Sequence, residues 1–335
     1  MNEKALRILE YPKIIDKLTE YAGSPMGRDK CKALLPTDDL ALILKSQMET
    51  SDALTRLYKK GSLSFSGVYD IRGSLLRLKV GASIGMSELL NIAKALDVAL
   101  RVKTYGRRDP ADEEKDCLDP MFALIEPLSP LSREIRRCLL DEETVADDAS
   151  PELKRIRRQI RLTGDRIHTQ LAAMVNSQDI GSKLQDNVVT MRGGRYCLPV
   201  KAEYRSQVSG MIHDQSASGS TLFIEPMAIV KLNNDLSELA AKEKAEIERI
   251  LDNLSQMAGE SVDALEQNIS LLTELDFIFA RASLSRSMNG TFPSHLKRRR
   301  SPQERREDLQ GRATIPRVPQ MCQSIPEEPV FPALP

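Results

Sequence analysis

Residues 211–226, MIHDQSASGSTLFIEP, place a histidine, an aspartate, three serines, a threonine and a glycine in one short segment. Met211-Ile-His and Leu222-Phe-Ile are strand-like, and Asp214-Gln-Ser-Ala-Ser-Gly-Ser between them reads as a turn whose hydroxyls satisfy their own backbone. A phosphate-cradling loop requires GxxxxGK followed by Ser or Thr; this segment has no lysine, and the motif occurs nowhere in the chain. Side chains on a strand alternate between faces, so His213 and Asp214 are expected to point apart rather than act as a pair. The stretch therefore predicts a structural hairpin. A second one precedes it, where Asn187–Met191 and Tyr196–Val200 flank Arg192-Gly-Gly-Arg195.

Long helical patterns lie on both sides of these hairpins. Ser150-Pro151-Glu152 begins a helix with a serine cap and proline in the first turn. Its apolar positions, Leu153, Ile156, Ile160, Thr163, Ile167, Leu171 and Met174, form a narrow stripe suited to one partner helix. The matching seam is Leu232, Leu236, Leu239, Ile247, Ile250, Leu254 and Met257, with Glu243 where the pattern expects an apolar residue. Residues 151–210 carry 11 basic and 5 acidic side chains, whereas 211–294 carry 6 and 13. A basic outgoing helix and an acidic returning one predict an antiparallel lever pair with a small β-containing clamp at its tip.

The expected organisation is mainly α: a helical core domain at 1–150, an outgoing lever helix at 151–180, a clamp with β-hairpins at 181–226, the returning lever and further core helices at 227–293, and a disordered basic, proline-rich tail at 294–335. Within the core, Ser87 is expected to cap an amphipathic helix. Gly81-Ala-Ser-Ile-Gly85 matches the GxSxG pattern of a hydrolase elbow, but its surroundings lack the strand and helix alternation that holds such an elbow, so a glycine-punctuated loop is expected around Ser83.

Composition narrows the chemistry. The chain has 335 residues, with 41% hydrophobic, 29% charged and only 4% aromatic side chains and no tryptophan, which suits a helix-rich soluble protein and argues against base-stacking platforms. Five dispersed cysteines and three histidines suggest neither a zinc site nor a disulfide framework, and fit a cytoplasmic setting. No apolar window approaches the length of a membrane span of about 18 residues. Arg192 and Arg195 bracket the di-glycine, a placement that suits phosphate contacts or simple solvation, and KRRR at 297–300 is a nonspecific basic run.

The run VVTMRGGRYCLPVKAEYRSQVSGMIHDQSASGSTLFIEPMAIVKLNNDLSEL, residues 188–239, resembles the clamp and returning lever of the bacterial MutS type 2 family, the MutS paralogues with a C-terminal Smr nuclease domain. DEETVADDASPELKRIRRQIR, residues 141–161, resembles the outgoing lever, and ALRILEYPKIIDKL, residues 5–18, the start of that family. The resemblance covers about residues 1–293. It implies binding to DNA or to ribosomes and their rRNA, weak and sequence-nonspecific, with roles in restraining recombination, in DNA repair and in rescue of collided ribosomes. In the family, clamps close the far end of an opening formed by the levers; this implies nucleic-acid contacts at Arg192, Arg195, Lys201 and Arg205. It also implies a homodimer, and an ATPase using ATP and magnesium, with a nuclease, in later domains.

After MNGTFPS, residues 288–294, the sequence departs from the family and runs into HLKRRRSPQERRED. The expectation is a truncated or frameshifted product without cofactor and without enzymatic activity of its own. The alternative is an inert architectural or interaction fragment.

Overall fold

Helix-forming apolar spacings dominate the chain, and the computed structural model, which describes residues 3–107 and 116–291, is correspondingly mainly α with one small antiparallel sheet. The tail expected at 294–335 lies outside the described residues. The first helices are α1 (Glu3–Ile8), α2 (Tyr11–Tyr21), α3 (Pro25–Lys32), α4 (Leu40–Lys60), α5 (Arg72–Lys79), α6 (Met86–Gly106), α7 (Asp119–Leu124) and α8 (Ser129–Cys138). Side-chain acceptors start several of them. Ser24 Oγ accepts from Gly27 N at 3.0 Å, and Asp39 Oδ1 accepts from Ala41 N at 2.9 Å.

One cap differs from the sequence expectation. Helix α6 begins at Met86, with Gly85 in the cap position and Glu88 Oε2 accepting from Gly85 N at 3.2 Å. Ser87 is already inside the helix. The physical reason is that a glutamate three residues on can satisfy the cap amide itself, so the helix gains two residues, Met86 and Ser87, at its start.

The outgoing lever is α9 (Pro151–Val175), followed by the short α10 (Gln178–Gly181). Strands β1 (Thr190–Arg192), β2 (Arg195–Lys201), β3 (Gly210–Gln215) and β4 (Thr221–Pro226) form a sheet in the order β1-β2-β4-β3, and a 3₁₀ helix, Ala202–Gln207, crosses between β2 and β3. The returning lever is α11 (Met227–Gly259), and α12 (Val262–Ser287) closes the described chain. Ser150 joins the levers at their root: its hydroxyl caps Leu153 N at 3.0 Å and donates to Glu246 Oε1 of α11 at 2.6 Å.

The lever stripes are not one continuous two-helix seam. Leu153 of α9 and Ile250, Leu254 and Ala258 of α11 belong to the large core cluster built around α6 and α12. Ile167 and Leu171 of α9 and Ile229 of α11 belong instead to a separate clamp cluster with Leu198, Val200 and Ile224. Between these ends the seam is sparse, with Ile160 only partly buried; at the core end Met257, expected in the seam, is 39% exposed while its neighbour Ala258 is buried. Helical registry over a 33-residue α11 explains the shift, because the face that meets α9 near the clamp is not the face that meets the core. Glu243, the break in the apolar pattern, accepts from Arg157 Nε of α9 at 2.7 Å. The mismatch in the stripe is thus an ion pair between the levers.

Candidate nucleic-acid interface

The clamp is positioned by two tight turns. Gly193 and Gly194 have φ of 55° and 77°, the left-handed pair that a two-residue hairpin turn requires and that glycine adopts without Cβ strain. This turn connects β1 and β2 in the register Arg192↔Arg195. In the stretch 211–226, β3 and β4 pair across the Ser216–Ser220 turn, where Thr221 N donates to Ser216 Oγ at 3.1 Å. The serine hydroxyls serve the turn, as expected.

Strand alternation and register decide which cations meet. Arg195, Cys197, Pro199 and Lys201 alternate on one face of β2; Arg192 lies opposite Arg195, Phe223 opposite Pro199, and Asp214 opposite Phe223. Arg192, Arg195 and Lys201 therefore share one face of the sheet. Arg205 does not join them, because it is carried by the 3₁₀ crossover; it is exposed and has no charged partner among the described residues. The opposite face, with Leu198 and Val200, is buried in the clamp cluster.

The cations are not equally available. Arg192 stacks its guanidinium 4.1 Å from the Phe223 ring centroid and lies 3.2 Å from Asp214, with its side chain 41% exposed. Lys201 Nζ donates to the Ser182 carbonyl at 3.4 Å and lies 6.0 Å from the Tyr204 ring centroid. Arg195, by contrast, is engaged internally: Nη1 donates to Glu225 Oε1 at 2.8 Å and Nη2 donates to Asn234 Oδ1 at 2.6 Å.

Glu225 is the centre of this internal network. Its carboxylate is fully buried and also meets His213 Nε2 at 2.5 Å and Asn233 Nδ2 at 2.8 Å. Burial by itself raises the carboxyl pKa, but the hydrogen bonds from Asn233, His213 and Arg195, with the arginine charge, outweigh it and hold Glu225 below its ordinary value. Asn233 also accepts from Tyr196 N and donates to Tyr196 O, both at 3.2 Å, which fastens β2 to α11. His213 sits where the β3–β4 register shifts, and this bulge breaks the strand alternation: His213 and Asp214, expected to point apart, both meet the face of the arginines, His213 at the carboxylate that Arg195 binds and Asp214 beside Arg192.

The remaining chemistry is quiet. Burial, reinforced by the Glu225 charge, pushes the Cys197 thiol up to about 11, so it stays protonated near neutrality. Ser83 lies in a loop with its hydroxyl 3.3 Å from that of Ser255. Among the described residues no group of three or more His, Cys, Asp and Glu is placed to hold a metal ion. The sequence has no GxxxxGK loop for a triphosphate, so the residues present do not fit a nucleotide–magnesium site of that kind. The basic run at 297–300 lies outside the described residues. No helix among the described residues is long and apolar enough to cross a membrane.

Sequence reading missed Glu225, Asn233, Asn234 and Phe223. The signal for Glu225 was an acidic residue closing an otherwise apolar strand immediately before a helix, a position that demands a partner once buried.

No family model matches the chain. It is 55% identical over 298 residues to the endonuclease MutS2 of Lachnoclostridium phytofermentans, covering 88% of this chain and 37% of that protein. It is 52% identical to the endonuclease MutS2 of Agathobacter rectalis and 46% identical to that of Lachnospira eligens, with the same shares covered. The chain spans well under half the length of these relatives. It is a MutS2-like polypeptide, similar along 88% of its length to the N-terminal part of those proteins.

Proposed function

We propose that this chain grips a nucleic-acid backbone, DNA or ribosomal RNA, weakly and without reading sequence, through the clamp face that carries Arg192 and Lys201. The observation that carries the reading is the shared placement of those cations on one sheet face whose reverse side is packed in the clamp cluster. Such a face presents charge at fixed spacing, and contacts to phosphates position a protein without base information. Arg205 adds a third cation from the crossover. Arg195 acts mainly as a brace, since its guanidinium is already bound to Glu225 and Asn234. The relatives are named endonucleases, and an enzyme of that kind must hold a nucleic acid; in this reading the present chain supplies grip, not cleavage, and needs no cofactor to do so. Two copies would close one opening between their clamps.

The test is fluorescence anisotropy of the full chain with duplex DNA over a salt series. Contacts by Arg192, Lys201 and Arg205 give log K against log salt a slope of roughly −0.9 × 3, about −2.7. Changing Arg192 and Lys201 together to alanine should flatten that slope by about 1.8. If this double variant binds like the parent while removal of residues 297–306 abolishes binding, the clamp face is not the grip. Structured rRNA in place of duplex DNA, run identically, assigns the preferred partner.

A further inference from the structure

We propose that the cavity between the two levers and the Gly193–Gly194 turn binds one nucleoside monophosphate unit, either free or as one nucleotide of a strand. The cavity is partly open to solvent and has a volume of about 580 Å³, within the range of roughly 300–1,000 Å³ typical of small-ligand sites. It occupies the stretch where the lever seam is sparse. Small residues create it: a Cβ added to Gly164, Gly193 or Gly194 would meet nothing within 4 Å.

The lining divides into an apolar part and a polar part, as a nucleotide does. Ile160, Leu236 and Ala240 supply apolar surface from both levers, and Tyr196 stands beside them, held edge-on by His168 at a centroid distance of 4.9 Å. A planar base fits against that surface. Arg161 and Arg195 are the cations of the lining; Arg195 is bound to Glu225 and Asn234, whereas Arg161, with its side chain 61% exposed and paired to Asp147 at 3.4 Å, can turn inward to a phosphate. The amides of Gly193 and Gly194 have no hydrogen-bond partner among the described residues, and successive amides in a left-handed turn are suited to an anion.

Two carboxylates also line the cavity. Glu243 is neutralised by Arg157, and Asp165 can accept from a base amine or a ribose hydroxyl. Together these groups match a small, singly phosphorylated ligand better than a polyphosphate, whose extra charge would meet both acids. Neither Arg192 nor Lys201 lines this cavity, so the site stands independently of the proposed backbone grip.

The experiment titrates the full chain with AMP, read by the amide resonances of Gly193 and Gly194 and by calorimetry. Saturable binding with a submillimolar Kd is expected. Gly164→Leu puts a side chain into the empty space at a helical position where leucine is well tolerated, and should weaken AMP by at least about tenfold. Arg161→Gln should weaken AMP by about 10- to 100-fold but leave adenosine, which has no phosphate, unchanged. The Arg192 and Lys201 double variant should bind AMP like the parent. A single-stranded oligonucleotide that displaces AMP identifies a strand nucleotide as the source, and one that binds without displacing it identifies the free nucleotide; both uphold the site. No change at the two glycine amides up to about 10 mM AMP, a Kd too weak to matter, would overturn the proposal, as would a Gly164→Leu or Arg161→Gln variant with unaltered AMP affinity.

Discussion

Replacing Glu225 with alanine should loosen the clamp while leaving the helical core intact. The carboxylate is fully buried and receives Arg195 at 2.8 Å, Asn233 at 2.8 Å and His213 at 2.5 Å. Breaking a buried pair by removing one partner costs about 3–5 kcal/mol, because the other partner remains desolvated. Arg195 and His213 have side chains 27% and 25% exposed, so both can rehydrate in part, and the loss should fall near the lower limit, about 3 kcal/mol. The clamp cluster is separate from the core cluster, so the loss should be local. Hydrogen exchange measures it directly: amides in β2 and β4 should exchange about 100-fold faster, and those of α6 should not change. Glu225→Gln keeps the shape but presents a donor to groups that are themselves donors, so it should recover only part of the loss. Acid should reproduce the effect. A carboxylate whose folded pKa is depressed contributes stability that is complete above its unfolded value, near 4.5, and lost as the pH falls through the lower folded value. If β2 and β4 of Glu225→Ala exchange within about threefold of the parent, less than 1 kcal/mol, the network is not what holds the clamp.

Two further outcomes follow from close packing. Gly27→Ala should destabilise the chain by about 2–3 kcal/mol in denaturant unfolding, since its Cβ would lie 2.2 Å from Asp276 Oδ2, a carboxylate pinned by the Gly23 and Ser24 amides; a change below about 0.5 kcal/mol would mean that the α3–α12 contact yields easily. Ile250→Asp should cost several kcal/mol, roughly 4, because Ile250 is 4% exposed in the core cluster, whereas Ile160→Asp, at the partly open lever cavity, should cost about 1; equal losses would place both in one continuous seam.

The sequence by itself determined the kinds of element and their order. Apolar spacing marked α9 and α11, Ser150-Pro151 marked where the outgoing lever starts, and the di-glycine and the serine-rich segment marked two turns, because these signals are local: they depend on backbone geometry within a few residues. Local reading also placed a turn at the serine-rich segment, where Ser216 Oγ accepts from Thr221 N. It placed the cap of α6 at Ser87 because a serine is the stronger local signal, while the helix used Gly85 and Glu88. What only the tertiary structure decided is pairing over distance. Glu225 meets Arg195 across 30 residues, Arg157 meets Glu243 across 86, and Ser150 meets Glu246 across 96. The arginines at 192 and 195 are equivalent in the sequence, flanking the same turn. One remains half-exposed on an aromatic ring and the other is bound to a buried carboxylate, because burial of Glu225 demands a compensating charge and the β2–β4–α11 geometry brings only Arg195 to it.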